Sequence, residues 1–242
     1  MSVTIVTGAA GGIGSAIVQR LLECDGWVVG VDLDASPLPE SDRLAWVRGD
    51  LTHDATLDAA FAAARDKGGA RALVGSAFAD HRSSLDTLTV AAIMAIFEQQ
   101  TVGAWQWGTR LVAERDAAAD DTAIVHVSSV HARLASPGAA AYAMAKSALT
   151  SLTRAMAVEW GPRGVRCNSV EPGFVPVPRN AHRWGDSEGA DQIAARLPLR
   201  RVVTPADVAE VVVFLIGPRA GGVTGVCLPV DAGMGAALPE WA

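Results

Sequence analysis

The chain has almost no tyrosine and almost no lysine. One Tyr and two Lys stand against eighteen Arg in 242 residues, and aromatic residues make up only 5%. Cysteine is nearly as scarce. Cys24, Cys167 and Cys227 are odd in number, far apart and form no C-x-x-C, which excludes a disulfide framework and reads as small core residues in a reducing compartment. The five histidines lack metal-ligand spacing, so no metal site is expected. Positive charge is also lacking: the net charge of −6 leaves no basic patch for a nucleic acid. No stretch approaches the roughly 18 apolar residues of a membrane span; the longest strongly apolar one is "VVVFLIG" at 211–217. The N-terminus enters a strand-like "VTIVTG" with no basic n-region or cleavage site, so a cytoplasmic protein is expected.

What the chain does have is apolar material in a regular rhythm. Half its residues are hydrophobic, enough for one large core at this length. Strand-like runs at 3–7, 27–32, 44–48, 72–76, 123–129, 165–170 and 226–230 alternate with helical stretches at 12–23, 54–66, 139–160 and 205–216. A long amphipathic stretch covers about 86–115. This alternation predicts an α/β fold of βαβ units: one doubly wound domain over 1–242 with a parallel sheet covered on both faces. The segment at about 174–200 breaks the rhythm with prolines and small residues, as a substrate lid would.

The turn "VTGAAGGIGSA" places Gly8, Gly11, Gly12 and Gly14 between the first strand and the first helix. Glycines there let the backbone approach a pyrophosphate seated at the positive helix N-terminus. Taken alone the cluster also suits a plain βα turn. Its place before a helix, with Asp32 closing the second strand 18 residues beyond Gly14, favours a dinucleotide. A carboxylate at that point accepts bonds from the adenosine ribose hydroxyls and repels a 2′-phosphate. Asp34 adds a second negative charge, and neither Leu33 nor the glycine turn supplies a cation. NAD is therefore expected rather than NADP.

The lone Tyr142 is followed four residues later by Lys146, one of the two lysines. Residues i and i+4 share a helix face. A free phenol titrates near 10, too high for a base at neutral pH, and a neighbouring ammonium stabilises the phenolate. Such a tyrosine can take a proton from an alcohol or return one to a carbonyl oxygen. Ser128 and Ser129 end the strand-like "AIVHVSS", where ligands of open α/β sheets bind. By itself Ser-Ser is as well a turn or cap signal.

Together these residues resemble the short-chain dehydrogenase/reductase family, in its compact branch. Its T-G-x-x-x-G-x-G is matched by Thr7, Gly8, Gly12 and Gly14, with Ile13 inside the turn; its Ser and Tyr-x-x-x-Lys set is matched by Ser129, Tyr142 and Lys146. "GDL" at 49–51 is similar to the turn whose acid, Asp50, contacts adenine beside Leu51. "NSVEPGFV" at 168–175 is similar to the N-x-x-x-P-G segment, with Pro172, Gly173 and Val175 near the nicotinamide. The resemblance spans the whole chain. It implies a seven-stranded sheet in the order 3-2-1-4-5-6-7, homodimers or homotetramers, and a Lys146 that also binds the nicotinamide ribose.

Three departures stand out. The family's N-N-A-G is here Gly75-Ser76-Ala77-Phe78, with a ring where a glycine is usual; Phe78 either narrows the pocket or packs inward. The family's catalytic helix asparagine, which holds a relay water, aligns with Gln100. Val177 replaces a threonine. His131, Arg133, Arg179, His182, Arg183 and Trp184 are candidates to contact a carboxylated or polyhydroxylated substrate. The expected activity is interconversion of a secondary alcohol and a ketone. The rival readings are a catalytically silent NAD-binding sensor or scaffold, a 3-oxoacyl thioester reductase, and a cofactor-free lyase of the same fold. That last class carries Arg in place of Lys146.

Overall fold

Every run expected as a strand forms one in a computed structural model that describes residues 3–79, 81–115, 121–181 and 187–236. The strands are β1 (Val3–Thr7), β2 (Trp27–Asp32), β3 (Leu44–Arg48), β4 (Ala70–Gly75), β5 (Thr122–Val127), β6 (Val165–Pro172) and β7 (Cys227–Val230). They form one parallel sheet in the order β3-β2-β1-β4-β5-β6-β7. The chain winds outward from β1 to β3, then crosses back to lay β4 on the other side of β1. That reversal opens a crevice at the carboxyl ends of β1 and β4, where open α/β sheets bind ligands.

Helices α1 (Gly12–Glu23) and α7 (Pro205–Ile216) cover one face; α2 (Asp54–Arg65), α4 (Gly103–Glu114) and α5 (Ala140–Trp160) cover the other. α3 (Val90–Phe97) precedes α4, and α6 (Ser187–Ala194) precedes α7. α7 shows why such a segment folds. Pro205 opens it, the Thr204 hydroxyl accepts from Asp207 N, and the Asp207 carboxylate accepts from Thr204 N, closing a capping box. Val208, Val212 and Leu215 then form one buried stripe. Each contributes about 1.5–3 kcal/mol by leaving water.

The amphipathic stretch at 86–115 is a 3-10 turn at Leu85–Thr87 followed by one helical run in which α3 passes through a π-helical segment, Glu98–Val102, into α4. Two expectations need correction. β5 ends at Val127, so Ser128 and Ser129 lie just beyond it. Cys24 is exposed at the end of α1 and Cys227 is half-buried, leaving only Cys167 in the core. Along β5, Val125 and Val127 face α1 and α7, while Ile124, His126 and Ser128 face α5, the alternation a strand imposes. Among the described residues no helix is long and apolar enough to cross a membrane.

Candidate active site

The glycine turn is fixed by close backbone approach. Gly8 has a positive φ of 69°, and a Cβ there would lie 2.6 Å from the Ala77 backbone. A Cβ at Gly14 would run into the Gly8 carbonyl oxygen. α1 begins without a side-chain cap at Gly11 and without an acid in its first turn, so its N–H groups and positive end remain available to an anion. Thr7 is buried at the strand end, and Ile13 packs on the aliphatic core. The cradle suits a pyrophosphate.

At the end of β2 the Asp32 carboxylate is held by two backbone amides: Ala10 N donates at 2.9 Å and Asp34 N at 3.1 Å. The β2–β3 register sets Arg48 beside Asp32, and Arg48 Nε donates to Leu33 O at 2.8 Å. This cation escaped the sequence reading, because sixteen residues separate the pair until parallel pairing brings them together. Asp50 accepts from Thr52 N at 2.9 Å and Thr52 Oγ1 at 2.8 Å, and these bonds, the backbone one foremost, hold its carboxyl below the usual range. With Thr52, Ala79, Ile96 and Glu98 it lines a groove of about 370 Å³, a size common for small-molecule sites. Leu51 O accepts from Trp107 Nε1 at 2.9 Å, tying that turn to α4.

On α5 the buried face carries both Tyr142 and Lys146. Lys146 Nζ lies 5.7 Å from the centre of the Tyr142 ring and donates to Val127 O at 2.8 Å. Burial pushes the ammonium down to about 7. The two serines divide their work. Ser128 Oγ is 3.0 Å from Thr150 Oγ1 and 3.3 Å from Lys146 O, so it fastens β5 to α5. Ser129 caps the turn that follows and accepts from His131 N at 3.2 Å. The His131 ring meets Tyr142 edge-on at 5.6 Å. Ser129, Tyr142 and Lys146 thus come to one rim of the sheet.

Phe78 does not pack inward. It is 38% exposed, its ring centre lies 5.4 Å from that of Tyr142, and the Arg179 guanidinium sits 4.7 Å above it while donating to Phe78 O at 3.2 Å. Arg133 donates through Nε to the wholly buried Glu171 at 2.7 Å, so it pins the turn after β5 to β6. Val175 points into the aliphatic core, and Val177 stands 2.5 Å from where a Gly12 Cβ would be. Asn180 holds the loop by donating to Val175 O and accepting from Val177 N. Pro172 ends β6, and Gly173 N donates to Val230 O at 3.0 Å; a Cβ at Gly173 would sit 2.9 Å from Asp231 Cα. His182, Arg183 and Trp184 lie outside the described residues.

Gln100 is buried within the π-helical segment, a form of helix irregularity frequent at functional sites. Its Nε2 donates to Ala79 O, and neighbouring Thr101 Oγ1 donates to Ala145 O at 3.2 Å, binding the segment to α5. The arrangement offers an uncapped helix N-terminus, a carboxylate at the end of β2 and a phenol–ammonium–hydroxyl rim.

Residues 8–235 match the family model described as enoyl-(acyl carrier protein) reductase. The 2-(R)-hydroxypropyl-CoM dehydrogenase of Xanthobacter autotrophicus is 34% identical over 95% of this chain and 96% of that one. The cis-4-hydroxycyclohexanecarboxylate dehydrogenase of Sinomonas cyclohexanicum is 35% identical over 96% of this chain and 95% of that one. A crystal structure of an oxidoreductase of the short-chain dehydrogenase/reductase family from Burkholderia thailandensis superposes with a TM-score of 0.87 at 33% identity, covering 98% of this chain and 93% of that chain.

Proposed function

The chain belongs to the short-chain dehydrogenase/reductase family, and from that premise we propose that it interconverts a secondary alcohol and a ketone with NAD. The observation that carries this reading is the common rim: Tyr142 and Lys146 on the buried face of α5, with Ser129 at the end of β5. Tyr142 takes the hydroxyl proton in oxidation and returns it in reduction. Ser129 holds the substrate oxygen, and Lys146 stabilises the phenolate and binds the nicotinamide ribose. Gln100 stands where a relay water would be held. When bound, the nicotinamide ring supplies or accepts the hydride. Thr7, the glycine turn, Asp32, Asp50 and Pro172–Gly173 hold the dinucleotide, the amide-held Asp32 favouring a free 2′-hydroxyl.

The substrate in this reading is a compact secondary alcohol with an anionic group. Phe78 and His131 wall the phenol, and Arg179 supplies a cation beyond Phe78. The relative that acts on cis-4-hydroxycyclohexanecarboxylate favours the same chemistry. Residues 174–200 serve as the lid, and copies associate through apolar side chains left exposed on α3 to α5, among them Met94, Trp105 and Met144.

Replacing Tyr142 by Phe tests the reading. Turnover should fall about 10²–10⁴-fold while NADH binding, read by fluorescence, persists; near-full activity would overturn it. A panel of secondary alcohols with and without a carboxylate, run with NAD and NADP side by side, sets the substrate class. A 3-oxoacyl thioester offered with NADH and NADPH is the competing arm.

A further inference from the structure

Behind the rim, between β4, β5 and the π-helical segment, lies a cavity of about 20 Å³ lined by Gly75, Ala77, Gln99, Gln100, Gly103 and His126. That volume suits a single water. Three buried polar atoms of its lining residues have no hydrogen-bond partner: His126 Nε2, Gln100 Oε1 and Gln99 Oε1. His126 is fully buried, and the ring has room because its neighbour across the sheet is glycine. A Cβ at Gly75 would lie only 3.0 Å from His126 Cδ2. The departure at Gly75 and the histidine on β5 are therefore one feature.

The histidine's tautomer follows from its other contact. With Thr153 Oγ1 donating its single hydrogen to Leu149 O at 2.8 Å, it accepts from His126 Nδ1, also 2.8 Å away, and on this pairing we assign the Nδ1–H tautomer. Burial, and after it the nearby Lys146 charge, pushes the imidazole down to about 4, so the ring is neutral at pH 7. A neutral ring with Nδ1 protonated presents a lone pair at Nε2. The Gln100 amide gives its Nε2 to Ala79 O, so its Oε1 is likewise an acceptor. Two unpartnered acceptors thus belong to residues lining a one-water cavity, and each costs about 1–3 kcal/mol if left unpaired.

We propose that this cavity holds one ordered water donating to His126 Nε2 and Gln100 Oε1, which makes His126 a positioning residue for Tyr142. The Gln99 amide, turned over, supplies a third partner by donating Nε2 to the same water. The link to the rim is short. Water fixes Gln100, Gln100 fixes Ala79 O, and the preceding residue, Phe78, lies against the Tyr142 ring. The positioning role rests on the reading of Tyr142 as acid/base; the water does not.

The test uses the full-length protein and the fact that Tyr142 is its one tyrosine. Its tyrosinate absorbance reports this phenol directly, without substrate. The phenol is faced by Lys146 from α5, by His131 from the turn after β5 and, across Phe78, by Arg179. A His126→Phe variant puts a larger apolar ring in the site and leaves those groups unchanged, but removes the acceptor at Nε2 together with the Nδ1 bond to Thr153. It should lose the water from a high-resolution crystal structure and lower the Tyr142 titration midpoint by at least about half a pH unit, as Phe78 loosens and the phenolate gains water. His126→Asn, which keeps an acceptor, should hold the midpoint near that of the parent. ¹⁵N spectra of labelled histidine should show His126 protonated at Nδ1 with Nε2 accepting. An Nε2–H tautomer, or a parent cavity without water, overturns the site. A water with an unmoved midpoint in His126→Phe overturns the positioning role. If Tyr142 proves not to be the acid/base, its Phe variant stays active, a result separate from each of these.

Discussion

The two faces of the sheet bury polar groups to different purposes. On the side of α1 and α7, the core around both helices is Val, Ile, Leu and Ala. On the side of α4 and α5, the same strands and helices bury His126, Ser128, Lys146, Thr150 and Thr153, and Gln100 closes the layer. The first face is a largely aliphatic clamp, with buried Arg166 and Asn168 fixed on backbone carbonyls toward its β6 edge, and the other gathers dry polar groups beside the Tyr142 rim. Lys146 shows the tension most plainly. Its burial disfavours the very charge that the proposed role of Tyr142 requires beside it.

Breaking the clamp should cost stability and nothing else. Leu215→Ala on α7, at a fully buried position, should lower unfolding free energy by about 2–5 kcal/mol. Its kcat/KM at a temperature where the protein remains folded should match that of the parent. A comparable loss of activity would mean that the faces are not separate.

The opposite face should answer in the opposite sense. Lys146→Met should abolish turnover yet leave the protein equally stable or more stable by about 1–3 kcal/mol at pH 6–7, since a buried charge is removed. The sign follows from protons bound. Lys146 titrates at about 7 when folded and near 10.5 when unfolded. Its penalty is fully present below about pH 7. It is relieved as pH rises toward 10.5, because the unfolded chain alone retains the proton over that window. Denaturant melts of parent and variant at pH 6, 8 and 10 should therefore converge with rising pH. A gap that stays constant would show that Lys146 pays no desolvation cost.

The smallest effect lies at the crevice. Arg48 sits beside Asp32 with its Nε on Leu33 O, close to where a 2′-phosphate would approach. Arg48→Ala should reduce any residual use of NADP by up to about fivefold, the range of an exposed charge contact, and leave use of NAD unchanged. Equal losses with both cofactors would make Arg48 a support for the Leu33 backbone only.

These two faces also differ in how far the chain announces them. The helix bounds at 12–23 and 205–216 were legible because a turn or cap residue, a 3.6-residue stripe and a glycine stop agree. Tyr142, Lys146 and Ser129 were legible through scarcity and spacing, and the structure brings them to one rim. What was hidden depends on pairing through space. Arg48 meets Asp32 only through the β2–β3 register. His126 reads in the sequence as an ordinary residue of a strand, and its partner Gly75 as one departure within the family's N-N-A-G. The π-helical turn at Glu98–Val102 has no periodic signature that distinguishes it from the helices on either side. The ion pair of Arg133 with buried Glu171 was hidden because 38 residues separate the two until β6 lies beside the turn after β5.

The parallel sheet brings its strand ends to a single edge, yet in the proposed reading the residues beside the phenol come from segments with no strand of their own: Phe78, His131 in the turn after β5, and Arg179. These three belong to neither aliphatic core cluster, so their side chains can be changed without repacking either one. The protein is in this sense a chassis. If the proposed function holds, its proton-handling parts are welded to the frame and the parts that choose a molecule are bolted on, which marks positions 78, 131 and 179 as the place to begin a change of specificity.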